Sequence, residues 1–440
     1  MSLHPPHAGD GLELSAGFVV STGIECSAPT IRHGHRQDEL VKTGHWERYA
    51  EDFALVADFG IRYLRYGVPF HVVARDPARL DWSWTDVALG SLRMAGLEPI
   101  ADLLHFGVPD GLRGMGDPAL PERYAAYVES FVDRFPWIRY YTPVNEPTVA
   151  AVMSAAAGAW NERARDDGAL VRAFDNLATC MVRGMEIIRA RRPDAVFLHS
   201  EPCEGYQGVG SEGQVLAGFL NERRFVALDL AFGRRPSEAV VAWLGRHGFG
   251  ERRLEWFAQH GSSAGSIVGH DYYRGNEWLI MPDGRTRKAG SQRRGYAALA
   301  REYHDHYGLP FMLSETNIAG NFAPGWLAEV WNDALALRAE GLPIRGFCWY
   351  GFVDHVDWDS ALCRNVGRQN RCGLVDLDRR AYRVGTDYRA LARAARAGQL
   401  HPIERRARSV RRTAHHSLAG SPVQAGAVSS PTLAEGVIAV

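Results

Sequence analysis

The 440-residue chain lacks several features that would assign it to a specialised class of protein. Its net charge is −1 and its pI is near 7.0, so it has no electrostatic basis for binding nucleic acid. It has no run of about eighteen apolar residues, which a membrane span requires. Its first ten residues contain no apolar stretch typical of a signal peptide. These absences predict a cytoplasmic protein whose partners include neither nucleic acid nor a membrane.

Cysteine is also scarce, and it is not spaced for a metal or redox site. None of the six cysteines forms a Cys-x-x-Cys pair, and a chain of this length does not depend on disulfides for a core. We therefore expect reduced thiols, which agrees with a cytoplasmic location. The cysteines are Cys26, Cys180, Cys203, Cys348, Cys363 and Cys372.

What the chain does contain is a regular alternation of two kinds of segment. Eight short runs are rich in apolar and β-branched residues, as expected for strands buried on both faces. Alternating strands and helices indicate a parallel sheet, and eight such units indicate closure into a single (β/α)8 TIM barrel, which carries its active site at the C-terminal ends of the strands. The predicted strands are 17–21, 61–66, 98–103, 138–143, 195–200, 266–270, 311–314 and 345–350.

The segments between these runs have helical spacing. In the first of them, Trp46, Tyr49, Phe53 and Val56 lie three or four residues apart on one face, and charged residues including Asp52 lie off it. Similar spacing predicts helices in 122–135, 170–191, 290–307 and 323–340. The long stretch 201–265 is expected to hold additional helices and loops before the sixth strand.

The two ends of the chain differ in composition from the middle. Residues 403–414 contain a cluster of arginines, and 417–440 are mostly small residues, Pro and Val without a period. The sequence therefore predicts an N-terminal extension over 1–15, a barrel domain over 16–398 and a weakly ordered C-terminal tail over 399–440.

Two of the predicted strands end in a carboxylate. Glu146 follows the run Tyr-Tyr-Thr-Pro-Val-Asn, and Glu315 follows Phe-Met-Leu-Ser. Cleavage of a glycosidic bond needs two carboxylates that face each other across the bond. Catalytic side chains of a parallel barrel lie where strands end. This pair predicts a retaining β-glycosidase, with its two carboxyl groups about 5–5.5 Å apart.

The motifs around these residues resemble glycoside hydrolase family 1, the β-glucosidase family, from about Gly17 to about Tyr388. The strongest element is Thr-Pro-Val-Asn-Glu-Pro at 142–147, which is similar to the family's Thr-x-Asn-Glu-Pro at the end of the fourth strand. The resemblance implies that Glu146 is the general acid/base and Glu315 the nucleophile. It also implies that Asn145 binds the sugar 2-hydroxyl.

Further motifs occur in the family's order along the chain. The resemblance implies that Arg65 lies beneath the nucleophile and keeps it ionised, and that Tyr273 donates a hydrogen bond to it. It implies no metal and no organic cofactor. The residues that it places around the sugar are Glu25, His105, Trp349 as a platform, and Asp357 with Trp358 at the outer hydroxyls.

Four departures from the family pattern lie around the sugar and not at the pair of carboxylates that breaks the bond. Glu25 stands in place of Gln, Phe106 of Trp, Asp271 of Asn, and Asp357 of Glu. Carboxylates at 25 and 357 would repel a sugar 6-phosphate. We therefore expect a small-molecule or oligosaccharide β-glycoside with a neutral terminal sugar as substrate.

Three alternatives stay open at this level. A related barrel glycosidase acting on longer β-glycans and a transglycosidase would use the same pair of carboxylates. A sugar-binding barrel without catalytic activity is the third.

Overall fold

The barrel predicted from the sequence is confirmed by a computed structural model, which describes residues 13, 14 and 16–404. Eight parallel strands form a closed barrel in which each strand pairs with its neighbours in the chain and the last pairs with the first, Val19 lying opposite Gly346. Every predicted strand is present. The strands, β1–β8, are Val19–Ile24, Tyr63–Gly67, Glu98–Asp102, Tyr140–Thr142, Val196–Pro202, Ser266–Asp271, Phe311–Glu315 and Ile344–Tyr350.

Helices surround the barrel and fill the loops above it. The described part of the chain contains these α-helices: Glu39–Lys42, His45–Asp58, Phe70–Val73, Ser83–Met94, Leu120–Arg134, Pro147–Ala151, Asp167–Arg191, Gly210–Arg223, Val226–Ala231, Glu238–Arg246, Glu251–His260, Tyr296–Tyr307, Ala323–Ala339 and Arg383–Arg396. Four of them lie in 201–265, as expected. None of the described helices is long and apolar enough to cross a lipid bilayer.

Short strands outside the barrel form two small sheets. Gly205–Gly208, Glu277–Ile280 and Thr286–Lys288 make a three-stranded sheet from the loops that follow β5 and β6. His355–Val356 and Gln369–Asn370 pair in the loop that follows β8. The elaborations therefore lie at the C-terminal ends of the strands, where the site was predicted.

The core has two layers, which follow from the alternation of side chains along each strand. Inside the barrel, Tyr63, Ile100, Met312 and Tyr350 belong to one apolar cluster. A larger cluster fills the space between the barrel and its helices, and Trp349 belongs to it. Whether a strand residue can reach the site thus depends on which face of the strand its side chain lies on.

The helix His45–Asp58 differs from its prediction at one residue. Phe53 and Val56 are fully buried as expected, but so is Asp52. The Asp52 carboxylate accepts two hydrogen bonds from Arg379, at 2.7 and 2.9 Å, and lies 2.7 Å from His45 Nδ1. A buried carboxylate is tolerated here because it is fully paired.

The start of the predicted tail is attached to the barrel domain. The Trp331 indole donates a hydrogen bond to the His401 carbonyl, and the Ile403 amide donates one to Asn332. Both partners lie on the helix Ala323–Ala339. The rest of the predicted tail, 405–440, and most of the predicted N-terminal extension lie outside the described residues.

Candidate active site

Three carboxyl groups meet at the C-terminal end of the barrel. Glu315 ends β7, Asp271 ends β6, and Glu146 lies four residues beyond the end of β4. One carboxylate oxygen of each lies within 4.8 Å of an oxygen of the other two. All three residues are buried. The two carboxylates singled out from the sequence are therefore brought together, with a third beside them.

Glu315 is held by two donors on opposite sides. The Arg65 guanidinium, from β2, forms a buried ion pair with its Oε1. The Tyr273 hydroxyl donates to its Oε2 at 2.7 Å. Arg65 also donates to the Ser314 carbonyl at 3.3 Å and lies 4.9 Å above the Tyr350 ring. Arg65 and Tyr273 thus both contact Glu315, as their predicted supporting roles require.

Glu146 has a different environment. Its side chain accepts no hydrogen bond from the described residues, and only the charge of His105 favours its ionised form. Burial, and then the charges of Asp271, Glu315 and Glu201, hold its pKa well above the usual value for glutamic acid. Its backbone is left-handed, with φ +40°, a strained conformation that clusters at functional sites.

Asp271 accepts one short hydrogen bond on each oxygen. The Ser200 hydroxyl donates to Oδ2 and the Ser314 hydroxyl to Oδ1, both at 2.6 Å. Burial and the neighbouring Glu315 charge raise the pKa of Asp271 well above its ordinary value. Asp271 was noted from the sequence only as a departure from the family pattern, and its position close to both glutamates was not predicted.

A hydrogen-bonded chain links Arg65 to the predicted sugar-binding residues Asn145 and His105. Because a guanidinium only donates, Asn145 Oδ1 faces Arg65, at 2.6 Å. The Asn145 amide nitrogen then lies 3.1 Å from His105 Nε2, and His105 Nδ1 lies 2.9 Å from Asp102. Both predicted residues are therefore oriented before any substrate binds.

Glu25 and Trp358, which were predicted to contact the sugar, both lie near His355. One Glu25 oxygen accepts a hydrogen bond from the Ser27 amide at 2.8 Å, and the other lies 3.9 Å from His355. Burial opposes ionisation of Glu25, but His355, His105 and Ser27 outweigh it and lower its pKa. Trp358 is partly exposed, and its ring centroid is 6.5 Å from that of Phe106.

The prediction that Trp349 forms the sugar platform is wrong, because its side chain lies outside the barrel interior. Trp349 is fully buried in the layer between barrel and helices, and its indole donates to the Cys372 carbonyl at 2.9 Å. The next residue, Tyr350, points inward instead, and its ring lies parallel to His105 at 6.2 Å. Gly23 makes room for this ring, since a Cβ there would lie 2.2 Å from it. Strand alternation could have identified Tyr350.

The predicted contact of Asp357 with outer sugar hydroxyls is also not supported by its position. The Asp357 side chain is fully buried, and its Oδ2 lies 3.0 Å from Lys42 Nζ. The amides of Val366, Gly367 and Arg368 donate to its two oxygens at 2.8–3.1 Å. The carboxylate is therefore occupied in anchoring the loop that follows β8.

Converging ligand atoms raise the question of a metal or cofactor. Besides the three carboxyl groups, Cys26, Asp102 and His105 bring one ligand atom each within 4.8 Å of the others. Arg65 already supplies the positive charge beside Glu315, and Asp102 is bonded to His105. Each cluster therefore contains a carboxylate that a protein group already partners.

The chain is similar to known proteins in sequence and in structure. No protein-family profile matches it. β-Glucosidase A of Thermotoga maritima is 22% identical over 417 residues, covering 84% of this chain and 89% of that protein. Thermostable β-glucosidase B of Thermobispora bispora is 30% identical over 258 residues, covering 55% of this chain and 52% of that protein. A solved structure of a family 1 β-glucosidase from Thermotoga maritima superposes with a TM-score of 0.74 at 16% identity, covering 88% and 98% of the two chains.

Proposed function

We infer that the chain is a divergent member of glycoside hydrolase family 1, and that it hydrolyses a terminal β-linked sugar with retention of configuration. The observation that carries this proposal is the approach of Glu146 and Glu315 to within 4.8 Å at the ends of β4 and β7. Inverting enzymes separate their carboxyl groups by about 6.5–9.5 Å to admit a water between them, and retaining enzymes by about 5–5.5 Å. The relatives' identity as β-glucosidases supports the same reaction.

In the first step Glu315 attacks the anomeric carbon while Glu146 protonates the departing oxygen. The nucleophile must be ionised at a pH at which the acid still holds its proton. Arg65 and Tyr273 stabilise the charge on Glu315. Glu146 accepts no hydrogen bond within the described part of the chain, and its pKa is raised. The two environments therefore favour opposite protonation states, as this step requires.

In the second step water releases the sugar from Glu315. Once Glu315 is an ester its negative charge is gone, and one cause of the raised pKa of Glu146 disappears with it. Glu146 then acts as the base that removes a proton from the attacking water. The proton returns to Glu146 when Glu315 is freed, so the cycle needs no external proton carrier.

The sugar is proposed to lie against Asn145, His105, Glu25 and Trp358, with Tyr350 beneath it in place of Trp349. We propose a neutral sugar, and this proposal now depends on Glu25 alone, because Lys42 neutralises Asp357. A buried carboxylate at 25 opposes a phosphate group. Sequence similarity to 6-phospho-β-galactosidase of Lacticaseibacillus casei, 27% over 121 residues, makes a phosphorylated glycoside the necessary comparison. Faster turnover of the phosphorylated glycoside would contradict the proposal.

The experiment that tests the function is release of nitrophenol from a panel of aryl β-glycosides, with Glu315→Gln in parallel. Turnover of one neutral glycoside, reduced by orders of magnitude in the variant, is the expected result. Glu238→Gln is the control, because Glu238 is exposed on a peripheral helix and should not affect turnover. A folded wild-type protein that binds a sugar but turns over no glycoside would favour the non-catalytic alternative. Products longer than the substrate would favour a transglycosidase.

The cytoplasmic location stays a prediction. All six cysteines are free thiols in the structure, which is compatible with a reducing compartment.

A further inference from the structure

Asp271 is a third carboxyl group in a site whose proposed chemistry uses two. It is fully buried, and one of its oxygens lies within 4.8 Å of oxygens of both Glu146 and Glu315. Glycoside hydrolase family 1, which the motifs of this chain resemble, has a neutral Asn at this position. Replacing an amide by a carboxyl group adds a titratable group beside the acid and the nucleophile, and its charge state affects both.

The donors around the carboxyl groups indicate the order in which Asp271 and Glu146 lose their protons. Glu315 has a guanidinium and a phenol hydroxyl. Asp271 has two serine hydroxyls at 2.6 Å, the distance typical of a hydroxyl that donates to a charged carboxylate. Glu146 has no donor among the described residues. Since donors favour the charged form, Asp271 ionises before Glu146.

Other titratable and charged groups face this cluster from the surrounding strands. Arg65 on β2 favours ionisation of Asp271, whereas Glu201 at the end of β5 opposes ionisation of Glu146. The Cys203 and Cys348 thiols near Asp271, and the Tyr273 phenol that donates to Glu315, have raised pKa values and stay neutral. The remaining facing groups are His105 and Asp102.

We propose that Asp271 is a positioning residue that loses its proton before Glu146 and, by its negative charge, keeps Glu146 protonated to higher pH. Its effect on the reaction passes through Glu146, so this inference depends on the proposed function of that residue. The charge-neutral Asn of the family would provide no such support. The serine hydroxyls of Ser200 and Ser314 hold Asp271 in place and stabilise its charge.

The consequence is a working range that extends to higher pH. The basic limb of kcat/KM against pH reports loss of the essential proton from the free enzyme. In Asp271→Asn that limb should move to lower pH by about 1–2 units, the effect of removing one nearby like charge. Asn has nearly the same shape and can bond both serines, so the variant is expected to fold. A merely structural role would lower kcat without moving the limb.

Two further measurements make the test decisive. Ser200→Ala removes one of the two donors to Asp271 but keeps the carboxyl group, so its basic limb should move in the same direction as in Asp271→Asn, but by less. Infrared titration of protonated carboxyl groups needs no turnover. Relative to wild type, Glu146→Gln should remove a step at higher pH. Asp271→Asn should remove a step at lower pH, which belongs to Asp271, and should shift the step of Glu146 to lower pH.

The outcomes separate the two claims. An unmoved basic limb in an active Asp271→Asn, or an infrared step for Glu146 that is the same with and without Asp271, would overturn the role of Asp271. If wild type turned over no glycoside, the proposed function would fail, and the infrared titration would still decide the order of ionisation.

Discussion

Asp357 distinguishes a structural carboxylate from one that binds sugar, and its replacement gives the sharpest prediction. Asp357→Ala removes the partner of Lys42 and the acceptor for three backbone amides. The Lys42 side chain is only 13% exposed, so its charge is left largely buried, with Glu39 at 3.7 Å as its nearest other carboxylate. Breaking a buried pair from one side costs about 3–5 kcal/mol.

The backbone adds to this cost. Asp357 has φ +62°, which Asp and Asn tolerate better than Ala. We therefore expect Asp357→Ala to lower the free energy of unfolding by about 4 kcal/mol, measured by urea denaturation. Asp357→Asn is the matched variant, because it keeps the backbone preference and one acceptor but loses the charge. The free energy of unfolding of Asp357→Asn should fall by about half as much as that of Asp357→Ala.

The kinetic result decides between the two roles. If Asp357 anchors the loop, Asp357→Asn should bind a neutral glycoside with nearly unchanged KM at temperatures where it is folded. An Asp357→Asn protein as stable as wild type, with KM raised more than about tenfold, would refute this reasoning and restore a direct contact with the sugar.

Two other changes test the carboxyl environments. Tyr273→Phe removes a hydrogen bond to Glu315 and should lower kcat/KM by about 10- to 100-fold without unfolding the protein; unchanged kinetics would contradict this. Burial raises the pKa of Glu201 well above 4.5, so the stabilisation from its proton is complete below that pH and is lost as pH rises through the folded-state pKa. Glu201→Gln and wild type should therefore have the same free energy of unfolding in urea at about pH 4. Above the raised pKa the variant should be more stable, by about 1.4 kcal/mol for each unit by which the pKa of Glu201 is raised. A stability difference independent of pH would count against that assignment.

The fold was predictable because its signal is repeated. Each barrel strand is a short apolar run buried on both faces, and all eight runs were found. Periodicity could not predict the burial of Asp52, since its partner Arg379 is 327 residues away in the chain. The predicted resemblance to family 1 is confirmed by the relatives and by the shared fold.

The site was predictable where a residue's position depends on a strand end, and less so where it depends on a loop. Arg65 and Glu315 lie in β2 and β7, and Glu146 and Tyr273 follow the ends of β4 and β6 within four residues, so all four lie at the same end of the barrel. The choice of Trp349 over Tyr350 ignored the alternation of β8, which turns Trp349 away from the barrel interior.

Loop residues carry no such periodic signal. The ion pair between Asp357 and Lys42 depends on a helix that precedes β2 and on the path of the loop after β8. A motif match can identify the position of Asp357 in the chain, but it cannot determine which groups its carboxylate contacts.

The central claim is that Glu315 forms a covalent bond to the sugar, and the anomer released first tests it most directly. Proton NMR should follow the wild-type protein acting on the best aryl β-glycoside of the panel, in the first minutes before mutarotation. Two displacements at the anomeric carbon predict that the β-anomer is formed first. If the α-anomer were formed first, a single displacement by water would be required, and the proposed roles of Glu146 and Glu315 would be contradicted.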